Sequence, residues 1–314
     1  MSNSRRDFIK KATTGAAFLA APAILGSAKA SGQVKAADAV TPFKLKYAPG
    51  LGMFRQHAGQ DPIDNIKFIH DQGFRAVFDN NIMRKEPAVQ EKIMSELNRL
   101  GMDFGPYVLR ADSGKQDFVL NTQEVRDMLI AQMKEGAEFS KRTGAKQALI
   151  VLGRYDMKLH MDYQTANAID NLRYCCDIME PAGVTLVLEP LNHHTNHPGL
   201  FLKGIPQSYA ICRAVNRVSC KTLDDLYHQQ ISEGNLIPNM EMAWSEIAAI
   251  HLGDNPGRNE PTTGEINYKS IFKYLYNKKY DGTLCMEHGI SQRGTKEGEA
   301  RVIQAYRECD SFEV

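Results

Sequence analysis

Four side chains able to bind a divalent cation stand at the ends of four strand-like runs in the second half of the chain. Glu189 closes LVLEP, Asp225 closes KTLDD, His251 follows the apolar run IAAI, and Glu287 closes TLCME. One carboxylate at the end of an apolar strand marks no more than the point where the chain leaves the core. An ionised carboxylate inside a barrel mouth is costly unless it is paired or metal-bound, so four candidates in succession point to a shared cation. Mixed oxygen and nitrogen ligation suits Mn²⁺, Mg²⁺ or Co²⁺, and Zn²⁺ is also compatible. A divalent ion held there would act as a Lewis acid on an oxygen of a bound molecule.

The elements that must position these residues follow from the pattern of the chain. Short β-rich runs lie at 43–48, 76–79, 103–109, 147–153, 184–189, 221–225, 247–252 and 283–287. Helix-period stretches separate them near 62–72, 87–100, 122–143, 163–181, 204–216, 239–246 and 267–278, and a last one follows at 296–309. Gly73, Gly101, Gly144, Gly183 and Gly282 precede strand runs and read as helix ends. Runs such as ALIVLG and VTLVLE are apolar on both faces, as buried parallel strands require. Eight alternating units predict an α/β fold, a single (β/α)8 TIM barrel over 43–309. The rival open doubly wound sheet wants a glycine-rich phosphate turn after the first strand, and Ala48-Pro49-Gly50-Leu51-Gly52-Met53 is no G-x-G-x-x-G. Barrel active sites form at the carboxyl ends of the strands, where Glu189, Asp225, His251 and Glu287 fall.

The segment DNPGRNEPTTGEINY, Asp254 to Tyr268, resembles the signature of the hydroxypyruvate isomerase family, within the xylose isomerase-like TIM barrels. Leu188-Glu189-Pro190-Leu191-Asn192 with Pro198-Gly199-Leu200-Phe201-Leu202 resembles that family's strand-five segment, and Asp225-Leu226-Tyr227-His228-Gln229-Gln230 its D-x-Y-H-x-Q. The resemblance runs from about residue 43 to 308. It implies that Glu189, Asp225, His251 and Glu287 are metal ligands and that Glu189 and Glu287 are also the acid–base pair. One glutamate would remove the proton beside the carbonyl and the other return it to the adjacent carbon, through a metal-bound enediolate. His251 departs from the pattern, since hydroxypyruvate isomerases often carry Gln there and the sugar epimerases carry His.

Around this set the readings stay open. His228, three residues past Asp225, is either a substrate-oxygen partner or a solvated loop histidine. Arg258 either holds a substrate carboxylate or hydroxyl, or makes a loop salt bridge with Glu260 or Glu265. His193, His194 and His197 are a second metal site or exposed loop histidines. Phe54, Tyr107 and Phe201 are pocket walls or ordinary core. The leading expectation is a metal-dependent isomerase acting on a small hydroxy-carbonyl substrate. The alternatives are a periplasmic sugar 3-epimerase or keto-sugar lyase, and a non-catalytic carbohydrate-binding barrel, which has no need of both glutamates. A metal-dependent endonuclease would want more strand-end histidines and a basic face.

The N-terminus reads as an export signal rather than as part of the fold. Ser4-Arg5-Arg6-Asp7-Phe8-Ile9-Lys10 is a twin-arginine motif, followed by a mild apolar stretch from Ala12 to Leu25 and the A-x-A site Ala28-Lys29-Ala30. Residues 1–30 are then a Tat signal peptide, 31–42 an N-terminal extension, and the protein periplasmic after passage through the Tat machinery. Removing 1–30 leaves 33 basic against 36 acidic residues and turns the net charge from +1 to −3. Such a surface excludes nucleic acid and anionic lipid as partners on electrostatic grounds, and no other stretch reads as a membrane anchor. The six cysteines show no metal-knuckle spacing, and Cys176, Cys212 and Cys285 read as buried small residues. The sequence leaves oligomeric state open, a homo-oligomer included.

Overall fold

The computed structural model describes residues 40–314; the expected signal peptide, 1–30, and residues 31–39 of the expected extension lie outside the described residues. The strands are β1 (Lys46–Pro49), β2 (Ala76–Val77), β3 (Asp103–Phe104), β4 (Tyr107–Arg110), β5 (Gln147–Ile150), β6 (Thr185–Leu188), β7 (Cys220–Asp225), β8 (Ile247–His251) and β9 (Thr283–Met286). Seven pair in parallel in the order β1-β9-β8-β7-β6-β5-β4, and β2 pairs in parallel with β3. A parallel bridge between Gly50 and Phe78 joins β1 to the β2 stave, while β3 and β4 are successive parts of one stave. The ring of eight staves is a TIM barrel, as the alternation predicts.

The helices are α1 (Arg55–Ala58), α2 (Pro62–Asp71), α3 (Pro87–Leu100), α4 (Gln123–Thr143), α5 (Met161–Met179), α6 (Ile205–Val215), α7 (Leu226–Ser232), α8 (Leu236–Ala243), α9 (Tyr268–Asn277) and α10 (Lys296–Asp310). None of the described helices is long and apolar enough to cross a membrane. Three expectations need correction. The run 103–109 is broken at Gly105-Pro106. Pro106 has no N–H for the ladder, and a Cβ on Gly105 would lie 2.6 Å from Cys285 Sγ and 2.9 Å from Phe78 Cβ. Next, α7 was not foreseen: Asp225 ends β7 and at once caps the helix, its Oδ1 accepting the backbone N–H groups of Tyr227 (2.9 Å) and His228 (3.3 Å). Finally, Gly73, Gly101, Gly144 and Gly183 take the left-handed conformation that ends a helix, but Gly282 does not. Lys279 (φ 57°) fills that position after α9.

Side-chain alternation along the strands decides what faces the barrel axis. Val187, Leu223 and Ala249 belong to an interior cluster with Leu149 and Val151, and Cys285 to a second with Ala48, Ala76 and Phe78. Their neighbours Leu186, Leu188, Ile250, Leu284 and Met286 belong to the larger core shared with the helices. With a period of two, the next inward positions are Glu189, Asp225, His251 and Glu287. The same parity turns Asp224 outward and selects Asp225 from the Asp-Asp pair. The register sets Asp225 beside His251 and His251 beside Cys285, so the four residues lie on one arc of the barrel mouth.

Candidate active site

The four strand-end residues converge. Each offers one donor atom, and these atoms all lie within 4.8 Å of one another. His251 Nδ1 is the hub, 3.5 Å from Glu189 Oε1 and 3.2 Å from Glu287 Oε2. Glu287 is the member open to solvent, its side chain 22 % exposed against 7 % for Glu189 and less for the other two. It faces a cleft of about 590 Å³ lined by Leu51, Met53, Phe78, Met286 and Ile290 among others.

Arg258 and Asn80 complete the electrostatics. The Arg258 Nη2 atom lies 2.9 Å from Asp225 Oδ2 and 2.6 Å from Glu287 Oε2, and its Nε donates to the Glu287 carbonyl at 3.1 Å. Asn80, just past the second stave, donates its amide to Glu287 Oε1. Burial alone would raise the Glu287 carboxyl, but His251, Arg258 and Asn80 outweigh it and hold the group well below the usual carboxylate range. Glu189 goes the other way: burial, with the charges of Glu287 and Asp225, pushes it up to about 7 against the opposing pull of His251. Burial pushes His251 down, yet Glu287, Cys285 and Glu189 together raise it well above an ordinary imidazole. The carboxylates thus favour positive charge at a fully buried ring.

That demand for positive charge is what a divalent ion would meet. Three carboxylates face one guanidinium and one imidazole, while Glu189 Oε1 and His251 Nε2 are buried with no hydrogen-bond partner. The donor set of three carboxylates and one imidazole fits such an ion.

The open readings resolve unevenly. His228 is no loop residue: it lies on α7, 1 % exposed, and burial pushes it down to about 4. Arg258 makes its ion pairs with Asp225 and Glu287 rather than with Glu260 or Glu265. Glu260 instead accepts from the Ser291 N–H at 2.9 Å, and Glu265 accepts from Asn255 and Gln230. Among the described residues His193, His194 and His197 do not join a metal-ligating group; His193 stacks on His194, and His197 packs against His228 at 5.3 Å. Phe54, Tyr107 and Phe201 are core, with the Tyr107 hydroxyl aimed at the Gly136 carbonyl in α4. The aromatic wall is Phe78, whose ring centroid is 5.9 Å from that of His251. Sequence reasoning missed Phe78 and Asn80. The stave they follow has only two ladder residues, too few to show a period.

The signature segment builds the loop that aims Arg258. Asp254, fully buried, accepts from Asn255, Ile266 and Gly264 backbone N–H groups, and Tyr268 bonds both the N–H and the carbonyl of Gly253.

A family model described as xylose isomerase-like TIM barrel matches residues 66–308. The chain belongs to this family. Among its relatives, the hydroxypyruvate isomerase of Escherichia coli (strain K12) is 30% identical over 185 residues, 59% of this chain and 69% of that protein. A 2-oxo-tetronate isomerase of Cupriavidus necator is 32% identical over 123 residues, 39% of this chain and 47% of that protein. Among solved structures, a D-psicose 3-epimerase from Clostridium cellulolyticum H10 superposes with a TM-score of 0.70 at 16% identity, covering 85% of this chain and 98% of that one. At that identity the structural likeness speaks for the fold alone.

Proposed function

We propose that this chain is a divalent-metal-dependent isomerase of the hydroxypyruvate isomerase type, moving a proton between adjacent carbons of a small hydroxy-carbonyl acid. The observation that carries the reading is the placement of Glu189 and Glu287 beside His251, 3.5 and 3.2 Å from its Nδ1, within one ligand set. Glu189, Asp225, His251 and Glu287 would hold the ion, which when bound supplies Lewis-acid polarisation of the substrate carbonyl. Glu287, open to the cleft, and Glu189, deeper in the site, exchange a proton with the substrate, each serving as acid in one direction and base in the other. Arg258, tied to Asp225 and the Glu287 backbone, orients the substrate's oxygens and restrains the Glu287 carboxylate. His228 offers a hydrogen bond to a substrate oxygen. The apolar cleft wall of Leu51, Met53 and Phe78 limits water around the reacting carbons.

A second reading, a sugar 3-epimerase or keto-sugar lyase on the same machinery, is favoured by His251, which stands where hydroxypyruvate isomerases often carry Gln and the sugar epimerases carry His. The retention of both glutamates argues against a non-catalytic carbohydrate-binding barrel. The twin-arginine leader is part of the proposal, with the site loaded before export and the protein working in the periplasm. Assaying purified protein with Mn²⁺, Mg²⁺, Co²⁺ or Zn²⁺ against hydroxypyruvate and against ketoses tests the reading. Turnover that EDTA abolishes and one of these ions restores is expected; metal-independent turnover contradicts it.

A further inference from the structure

Asn192 stands three residues past Glu189, on the segment that leaves β6, and is fully buried, as is His228. Its side-chain oxygen accepts the backbone N–H groups of Thr195 (3.2 Å) and Asn196 (3.1 Å) and the Thr195 hydroxyl (2.9 Å). Backbone N–H groups only donate, so the atom that meets them is the amide oxygen, and the amide nitrogen must face the other way. There it donates one hydrogen to Asn196 Oδ1 (2.8 Å) and directs the other at His228 Nδ1 (2.6 Å). The Asn192 backbone N–H is aimed at the same ring nitrogen, 3.3 Å away.

Two donors therefore converge on Nδ1, which has to be the bare, accepting nitrogen of the ring. The imidazole proton is left on Nε2. That atom looks into the ligand set, 3.8 Å from Asp225 Oδ2, a distance beyond hydrogen-bond range. Asp225 Oδ2 is already engaged by Arg258. The Nε2–H is thus a donor aimed at the site with its own acceptor still to come, which is what an incoming carbonyl or hydroxyl oxygen provides.

We propose that Asn192 is a positioning residue that locks His228 in the Nε2–H tautomer, so that the ring donates a hydrogen bond to a substrate oxygen beside Asp225. The tautomer stands on the hydrogen bonds alone; the role toward substrate rests on the proton-transfer reading above. A ring held this way is a fixed donor, and proton exchange stays with the glutamates.

The test combines imidazole ¹⁵N–¹H correlation spectra of the Mg²⁺-loaded protein with kinetics, His228 being assigned by loss of its signals in His228→Gln. Wild type should show the Nε2–H pattern. Asn192→Asp keeps an oxygen for Thr195 and Asn196 but replaces the donor facing Nδ1 by an acceptor, so the proton should move to Nδ1 and kcat should fall roughly tenfold or more. Thr195→Ala loosens the other side of the same network and should keep both the wild-type pattern and kcat within about twofold. An Nδ1–H or doubly protonated pattern in wild type overturns the lock whether or not the variants fold. So does an Asn192→Asp protein that retains the Nε2–H pattern and wild-type kcat. Absence of turnover in wild type with every substrate would overturn the proton-transfer reading, and the spectrum would still decide the tautomer.

Discussion

Glu189 and Glu287 are the same residue type in opposite surroundings, and the contrast can be measured. Glu287 has Arg258, Asn80 and His251 against it, while Glu189 keeps one buried oxygen without a partner. In metal-free protein, Glu287→Gln should therefore cost about 1–3 kcal/mol of stability, because it leaves one neutral acceptor oxygen where Arg258, His251 and Asn80 share two charged ones. Glu189→Gln should be neutral or slightly stabilising, since it removes a desolvated charge. Urea denaturation in EDTA compares the two directly; equal losses would contradict this account of the electrostatics. In kcat both substitutions should cost roughly 10²–10⁴-fold, the usual worth of a positioned acid or base. The four ligand candidates were legible in the sequence because strand ends and a period of two are legible. Asn80 was not: a neutral amide that meets Glu287 across 207 positions of chain leaves no local mark. Asn192 was read only as part of a family segment, because its role depends on which way an amide turns.

At the scale of elements, the signature loop explains why so long a match concerns one side chain. Asp254 ties Asn255, Gly264 and Ile266 together, and Arg258 rises from that platform with φ +49°. A Cβ on Gly264 would collide with the Asn255 carbonyl, which is backbone and cannot swing aside. Gly264→Ala should cost about 1–3 kcal/mol in chemical denaturation and lower kcat through a displaced Arg258. Wild-type kcat in that variant would show that the loop does not position the guanidinium. The strand–helix alternation was readable because each long helix carries its own period and stop. The helix α7 was not, since it follows β7 with no intervening turn and its cap, Asp225, has the chemistry of a ligand. The third stave was read as continuous because the break at Gly105-Pro106 is set by contacts with Phe78 and Cys285, distant in sequence.

For the whole molecule, the barrel gathers a charge-rich cluster that it only partly neutralises by itself. An ion that binds the native state and not the unfolded chain stabilises it by about 2.7 kcal/mol at a hundredfold excess over Kd. For a domain of this size the melting temperature should then rise by roughly 5 °C on loading. Asp225→Asn and His251→Ala should lose most of that rise, a result that differential scanning calorimetry with and without EDTA will give.

The central claim is proton transfer between neighbouring carbons by Glu189 and Glu287. Deuterium wash-in tests it most directly: the metal-loaded protein is incubated in D₂O with hydroxypyruvate, then with ketoses and keto-glycosides, and exchange is followed at the carbon next to the carbonyl. The account predicts exchange with wild type on at least one of these substrates and its loss in both Glu189→Gln and Glu287→Gln. No exchange on any of them, or exchange undiminished in both variants, would contradict it.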